Sequence, residues 1–400
     1  MTEFKRIVII AVSLRIIAGL FLPGIEMDYY WEYGEIAKNL INGKGYSLLY
    51  VEGDKIAHHF KSEASPYPSA YMPPGYVLFL FPFMYLPDIL LRNILIYSVQ
   101  IIASVLVLFM VYRISERFFG IRAALISGLI YAVTPEFIVG SLSFTPTVFY
   151  QLLSLMVLYL LLFPGEVKLL ELKTAGLLSL LIFFRSETIL FLGGILSVFL
   201  VRKKFKPFFI ILCTVVLFLL PWSVRNYQKF NEIIPLTTSY GLNLYRGNNS
   251  AEMGYWGNPL LLKEIRSYKG DDFEVKMSRV YVREVEEFFS QNTSGAILNL
   301  GAKFFYFWVY YPNYGRANNI FYLVPGMLIL YLFLYGIISA ADRKKYIWFY
   351  LFFAVSTAVA VIFVPLPRYQ TMMKTAMLPF CGFAAHSILV LVTLKFNRRS

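Results

Sequence analysis

Apolar runs of roughly a dozen to twenty residues recur along the chain, separated by short polar and basic stretches. That pattern predicts helices that bury themselves in lipid. The expected spans are residues 7–23, 94–112, 123–140, 148–163, 174–184, 188–201, 207–222, 320–340, 346–364 and 372–394, about ten in all, with 174–184 and 188–201 short for a full crossing. Residues 71–88 (YMPPGYVLFLFPFMYLPD) are also apolar, but Pro73-Pro74, Pro82 and Pro87 leave only a short uninterrupted core. If 71–88 crossed, the basic turn RISERFFGIR at 113–122 would land outside, against the preference of Arg and Lys for the cytoplasm. It is therefore expected to lie on the outer surface as a juxtamembrane helix.

With that choice the clusters Arg113/Arg117/Arg122, Arg202/Lys203/Lys204/Lys206 and Arg343/Lys344/Lys345 all face the cytoplasm, as do both termini. Lys5 and Arg6 ahead of the first span fit an uncleaved anchor. Three regions follow: a membrane module over 1–224 whose first outer loop spans 24–93, an outer loop over 225–317, and C-terminal membrane helices over 318–400. The outer loop looks helical only around 272–290, and KFFYFWVYY at 303–311 reads as an interfacial aromatic anchor. No internal repeat is visible.

The first outer loop carries a different pattern. In EMDYYWEYGEIAKNLINGKGYS, residues 26–47, apolar positions fall at Tyr30, Tyr33, Ala37, Leu40 and Ile41, with Glu32, Glu35, Lys38 and Asn42 on the other face. This predicts an amphipathic helix at the bilayer surface, with Gly43 just past its end and Asp28 at its start. Asp28 is then either an N-cap or a carboxylate with chemistry to do beside the membrane.

Composition supports the membrane class: of 400 residues, 58% are hydrophobic and 15% charged, with a mean hydropathy of +0.61. The net charge of +13 is dispersed in short clusters between spans, which excludes a nucleic-acid-binding domain. Cys213 and Cys381 fall inside apolar spans and imply neither a disulfide nor a thiolate metal site. His58 and His59 are poor grounds for a metal.

Polar residues that membrane physics makes expensive collect on the outer side. Arg15 interrupts the first span and is expected to face the bundle interior. Arg185-Ser186-Glu187 breaks a long apolar stretch; either these residues form an internal salt bridge with neighbours such as Arg15 or Glu136, or Arg185 meets an incoming anion. Arg368-Tyr369 stands before the last span, where an arginine either snorkels or binds. Arg225-Asn226 opens the large loop, and GLNLYRGNN at 241–249 offers Asn243 and Asn248 either as hydrogen-bonding groups for sugar hydroxyls or as ordinary turn residues. Two sequons, at Asn248 and Asn292, lie in the same loop.

Taken in order, Asp28, Tyr33, Ala37, Leu40 and the Gly43–Tyr46 turn, the Pro73-Pro74 pair, PWSVRNY, GLNLYRGNN and PRY resemble the GT-C glycosyltransferases, and most of all the branch of protein O-mannosyltransferases and lipid A aminoarabinose transferases. The resemblance implies an all-α polytopic GT-C bundle in the plasma membrane. It also implies transfer of a monosaccharide from a polyprenyl-phosphate carrier to a lipid, glycan or protein acceptor on the extracytoplasmic face, with inversion. On that pattern Asp28 is the general base, Arg185, Arg368 and Tyr369 hold the donor phosphate, and Glu26, Tyr33, Glu187, Arg225, Asn226, Asn243 and Asn248 shape the sugar or acceptor site. No cofactor, metal or nucleic acid is expected. Two departures matter. Asp28 stands one residue further from Tyr33 than in the relatives, which brings in Glu26 or Glu32 as sharing the role. The second outer loop reads SFTPT where relatives often carry an acid, which leaves Glu136 or Glu187. The alternatives from other classes are a transporter or flippase for lipid-linked sugars and an inactive subunit with the same fold.

Overall fold

The computed structural model describes residues 2–48, 51–52, 55–56, 66–166, 168–251, 253–254, 257–268, 270–311, 315 and 317–397. His58 and His59 lie outside them. The described chain is almost wholly helical. In order the helices are α1 (Thr2–Phe21), α2 (Trp31–Ile41), α3 (Pro74–Leu80), α4 (Ile89–Val133), α5 (Pro135–Leu142), α6 (Thr147–Leu162), α7 (Leu170–Phe184) and α8 (Ile189–Val201). Then come α9 (Phe205–Phe230), α10 (Tyr240–Gly247), α11 (Pro259–Ser267), α12 (Phe273–Gln291), α13 (Thr293–Trp308), α14 (Ile320–Ser339), α15 (Ile347–Ile362) and α16 (Pro367–Asn397).

The run α4 is two expected spans in one. Gly120 adopts φ 81°, a region L-residues avoid, and the helix doubles back there. The Ser115 hydroxyl meets that of Ser127 at 2.9 Å and Ser104 meets Tyr131 at 3.0 Å, pairings that a straight helix would hold far apart. By length and composition five helices are fit to cross a membrane, or up to seven when each of two bent pairs is one span. The five stand against an expected ten because α4 joins two expected spans in one element, α6, α7 and α8 (16, 15 and 13 residues) are too short to cross on their own, and α1 fails the test alone. The chain is a multi-pass membrane protein. The 71–88 segment forms α3 and a following 3-10 turn, Phe81–Tyr85, both short.

In the bundle, α16 packs on α4 and α14, α1 on α4, and α7 on α9; its core is aliphatic and aromatic, with Phe349, Phe352 and Phe380 buried. A second apolar cluster, around Tyr30, Tyr33, Tyr76, Leu242 and Tyr281, seats α2, α3, α10 and α12 over one end of the bundle. The loop 225–296 is more ordered than its composition predicts: α12 was expected, whereas α10 and α11 hide behind Gly and Asn residues. Arg15 is fully buried, as expected; its Nη1 donates to the Ala11 and Ala132 carbonyls and its guanidinium lies over the Tyr131 ring.

The basic turns sit at the other end of the bundle. Arg202 lies over Trp348, and Phe118 packs on Tyr346 beside Arg343–Tyr346, where α8 ends and α15 begins.

Candidate functional site

Where the outer helices meet the bundle, they enclose a cavity of about 730 Å³. Its walls come from the start of α2, residues 71–73, the SFTPT turn, the break between α7 and α8, residues 232–240, α10, α12, the end of α15 and the start of α16. Most of these are ends or breaks of helices, with the flanks of α10 and α12 added.

Glu32 and Tyr33 enter from α2. The helix begins abruptly: Trp31 has φ 57°, a strained conformation for a bulky residue, at the edge of the cavity. Tyr30 ahead of it is fully buried, and its hydroxyl donates to Asn93 Oδ1 at 2.6 Å. The Asn93 amide in turn donates to the carbonyls of Gly24, Ile25 and Met27. The loop is therefore fixed on the N-terminal side of the strained residue. Glu32 is half-buried, and among the described residues its carboxylate makes no hydrogen bond or ion pair with the protein.

Asp28 is elsewhere. Its carboxylate pairs with Arg92 Nη1 at 2.7 Å and Lys38 Nζ at 3.1 Å, its side chain is 42% exposed, and it does not line the cavity. Nor does it cap α2, whose N-cap is Tyr30. Residues 28–30, which belong to no helix or strand, separate it from the helix start, and its partner Arg92 is on α4. Glu26 is exposed and likewise outside the lining.

Arg185 closes α7 in an extended conformation (φ −149°). Its Nε donates to Glu187 Oε1 at 2.6 Å, its Nη2 reaches the same oxygen, and the guanidinium stacks over the Tyr369 ring at 4.7 Å. The internal partner is thus Glu187 itself. Glu136 is committed elsewhere, buried between Lys374 Nζ at 2.8 Å and the Thr371 hydroxyl, which removes it as a second acid of the cavity. Arg368, in the first turn of α16, lies over Tyr369, makes no ion pair among the described residues, and leaves its buried Nε without a partner. Burial pushes the Tyr33 phenol up to about 12; nearby Arg185 and Arg368 work against this, and Glu32 and Glu187 with it. These charges therefore share one electrostatic neighbourhood. In the SFTPT turn the Thr145 and Thr147 hydroxyls bond each other at 2.9 Å at the cavity wall.

Of the remaining expected residues, Asn243 lines the cavity and the others do not. Arg225 donates to the carbonyls of Ser69 at 2.5 Å and Tyr46 at 2.7 Å. Asn226 donates to Ile234 O, and Asn248, fully buried, donates to Leu244 O and Ile362 O. They are fasteners of backbone. Sequence reasoning overlooked Arg246, Arg279 and the hydroxyl run Thr237-Thr238-Ser239, all at the cavity wall. The only signal for them was their position in a loop with few apolar residues. Among the described residues no group of three His, Cys, Asp or Glu side chains comes together to hold a metal ion.

A family model described as dolichyl-phosphate-mannose-protein mannosyltransferase matches residues 71–225, which include Arg185 and Glu187 but neither Glu32 nor Arg368. No curated protein matches the sequence. Among solved structures, the chain is similar to the archaeal oligosaccharyltransferase AglB from Archaeoglobus fulgidus in complex with an inhibitory peptide and a dolichol-phosphate. The TM-score is 0.56 at 13% identity, over 99% of this chain and 51% of that one. The apo form of the Archaeoglobus fulgidus oligosaccharyltransferase gives 0.54 at 13% identity, over 100% and 51%. The chain thus spans about half the length of the solved structures it matches.

Proposed function

We propose that this chain, a member of the GT-C superfamily of glycosyltransferases, takes a monosaccharide from a polyprenyl-phosphate carrier in the cavity and passes it to an acceptor hydroxyl on the extracytoplasmic side of the membrane. One observation carries the reading: Glu32, whose carboxylate has no partner among the described residues, and Arg368, which pairs with no acid among them, line one large cavity with the Arg185–Glu187 pair.

Glu32, rather than Asp28, is the general base. It takes the acceptor's proton as the hydroxyl oxygen attacks the anomeric carbon from the face opposite the phosphate, which inverts that carbon. The bond from the anomeric carbon to the phosphate oxygen breaks, and the carrier leaves as a phosphate monoester. Such a leaving group needs cations, not an acid, and Arg368 and Arg185, both against the Tyr369 ring, supply them. Asp28 holds the loop that presents Glu32. The Thr145–Thr147 pair and Asn243 are placed to hydrogen-bond sugar or acceptor hydroxyls.

The test is transfer by the purified protein from a panel of polyprenyl-phosphate sugars, joined to the mass of envelope glycans and lipid-linked donors in cells lacking the gene. Donor should accumulate and one sugar should vanish from a glycan, restored by wild type and not by Glu32→Gln. No turnover with any donor, together with unchanged donor and glycan pools, overturns the reading.

A further inference from the structure

Lys303 is the most deeply buried lysine among the described residues: it is fully enclosed on α13, with no carboxylate beside it. Its ammonium meets three acceptors instead, Asn248 Oδ1 at 2.7 Å, Phe363 O at 3.3 Å and Ile362 O at 3.4 Å. The last two are carbonyls that end α15, which lack helical partners and favour a cation. The same point gathers more bonds. Asn248 Nδ2 donates to Ile362 O at 2.8 Å and Asn299 Nδ2 to Gly247 O at 2.7 Å. Gly247 lies so close to Phe363 that a Cβ there would come 1.8 Å from its carbonyl oxygen. Three outer elements, α10, α13 and the end of α15, are thus knitted at one buried spot.

From that spot the chain runs five residues, stiffened by Pro365 and Pro367, to Arg368 and Tyr369. Phe363, Leu366, Arg368 and Tyr369 all line the cavity. We propose that Lys303 is a positioning residue for the anion-binding end of the cavity: its ammonium clamps the α15–α16 turn against α10 and sets where Arg368 and Tyr369 stand. This rests on the reading that Arg368 contacts the carrier phosphate.

The chemistry makes the clamp sensitive to protons. An ammonium has three N–H groups for its three acceptors; the neutral amine donates two and turns a lone pair toward a carbonyl. Burial lowers the Lys303 ammonium to about 7, and no neighbouring charge contributes to the shift. What faces it is the Asn248 amide from α10 and the two carbonyls from α15; no charged group of α12 or α16, which also pack on α13, adds to it. The clamp therefore loosens as the medium turns alkaline.

The experiment is binding of polyprenyl phosphate, measured by titration of the purified chain from pH 6.5 to 9. Arg185 and Arg368 stay charged throughout, and the phosphate only gains negative charge as pH rises through about 6 to 7, so direct charge attraction predicts constant or tighter binding. The clamp predicts the opposite sign, an affinity about tenfold weaker at pH 8.5 than at 6.5, the worth of one hydrogen bond to a charged group. Lys303→Met, which keeps the apolar stem and removes the donors, should bind as weakly at pH 6.5 as wild type does at 8.5, with a flat profile. Wild-type affinity that stays level or rises to pH 9 overturns the proposal, and that measurement does not depend on any variant folding. If Arg368→Gln also binds like wild type, the phosphate-site reading itself fails; if it loses binding while the wild-type profile is level, only the role of Lys303 fails.

Discussion

Two carboxylates of the first outer loop, four residues apart, are separable by substitution, because the structure gives one of them every partner and the other none. Glu32→Gln removes a charge that bonds no protein group among the described residues, so stability should change by less than about 0.5 kcal/mol, as for an ordinary surface position. Its effect on turnover should be that of losing a general base, about 10²- to 10⁴-fold, or roughly 3–5 kcal/mol of transition-state stabilisation.

Asp28→Asn does the reverse. It leaves the buried Arg92 guanidinium, 8% exposed, with the Leu86 carbonyl and the Tyr30 hydroxyl, and leaves Lys38 with Glu35 at 3.3 Å. Because Asp28 itself is 42% exposed, solvent screens much of the pair, and the loss is about 1 kcal/mol. If all of it fell on the geometry of Glu32, turnover would drop by no more than about tenfold. Single-turnover transfer at saturating donor, beside the thermal midpoint in detergent, reads both quantities. The expected result is a deep loss of turnover without loss of stability for Glu32→Gln, and a shallow loss with a lowered midpoint for Asp28→Asn. A deeper loss for Asp28→Asn at an unchanged midpoint would refute the assignment and return the base to Asp28.

Three further outcomes follow from the supports of the cavity. Glu274, fully buried on α12, accepts from Ala70 N at 2.8 Å and the Thr238 hydroxyl at 2.5 Å, while Arg225 grips the Ser69 carbonyl of the same peptide unit; Glu274→Ala should lower stability by about 2–4 kcal/mol, and thermal unfolding checks it. Gly247→Ala forces a methyl group onto the Phe363 carbonyl and should disable transfer, whereas Gly301→Ala, with open space around it, should change neither activity nor midpoint. Lys303 titrates near 7 when folded and near 10.5 when unfolded, so between those values the unfolded chain holds the extra proton and stability should rise with pH, in the same range in which carrier affinity is expected to fall; a midpoint that drops steadily from pH 7 to 10 would contradict the burial of that charge.

Hydrophobic pattern alone located the helical bundle and the end of α2, where Gly43 takes the left-handed φ of 73° that a residue past a helix end needs. Tyr33, Arg185, Glu187, Arg368 and Tyr369, scattered over more than three hundred residues, do converge. Three things were hidden, each for a physical reason. Periodicity predicts which face of a helix a residue takes but not where the helix begins, and one strained residue, Trp31, separates Glu32 in the cavity from Asp28 on the ion pair. A polar side chain whose partner is main chain looks like one awaiting a ligand: Arg225, Asn226 and Asn248 bond carbonyls, and carbonyls carry no sequence signal. Lys303, in the aromatic run KFFYFW, reads as an interfacial anchor with its head in water, and only the arrival of α15 from sixty residues downstream shows that it points inward.

The partners of Arg185 and Arg368 also fit the direction in which charge must move. Arg185 and Glu187 neutralise one another and Arg279 pairs with Glu232, while Arg368 and Glu32 stand apart from those pairs at the same wall, with Arg246 also there. With Arg246, Arg279 and Glu232 counted, the cavity wall carries one net positive charge, and a sugar phosphodiester brings one negative charge to it. In the proposed transfer the acceptor's proton neutralises Glu32 while the phosphate becomes a monoester dianion, so the total is unchanged and one unit of negative charge passes from the Glu32 side to the phosphate. A pre-formed Glu32–Arg368 salt bridge would oppose that step, since the cation would have to leave the carboxylate before it could serve the leaving group. Keeping the base without a cation and one cation without a protein acid means that Glu32 is unpaired before reaction and protonated after it, while Arg368 faces a phosphate monoanion before and a dianion after. That difference between ground state and product-like state is what an interaction must have if it is to lower a barrier rather than only tighten binding.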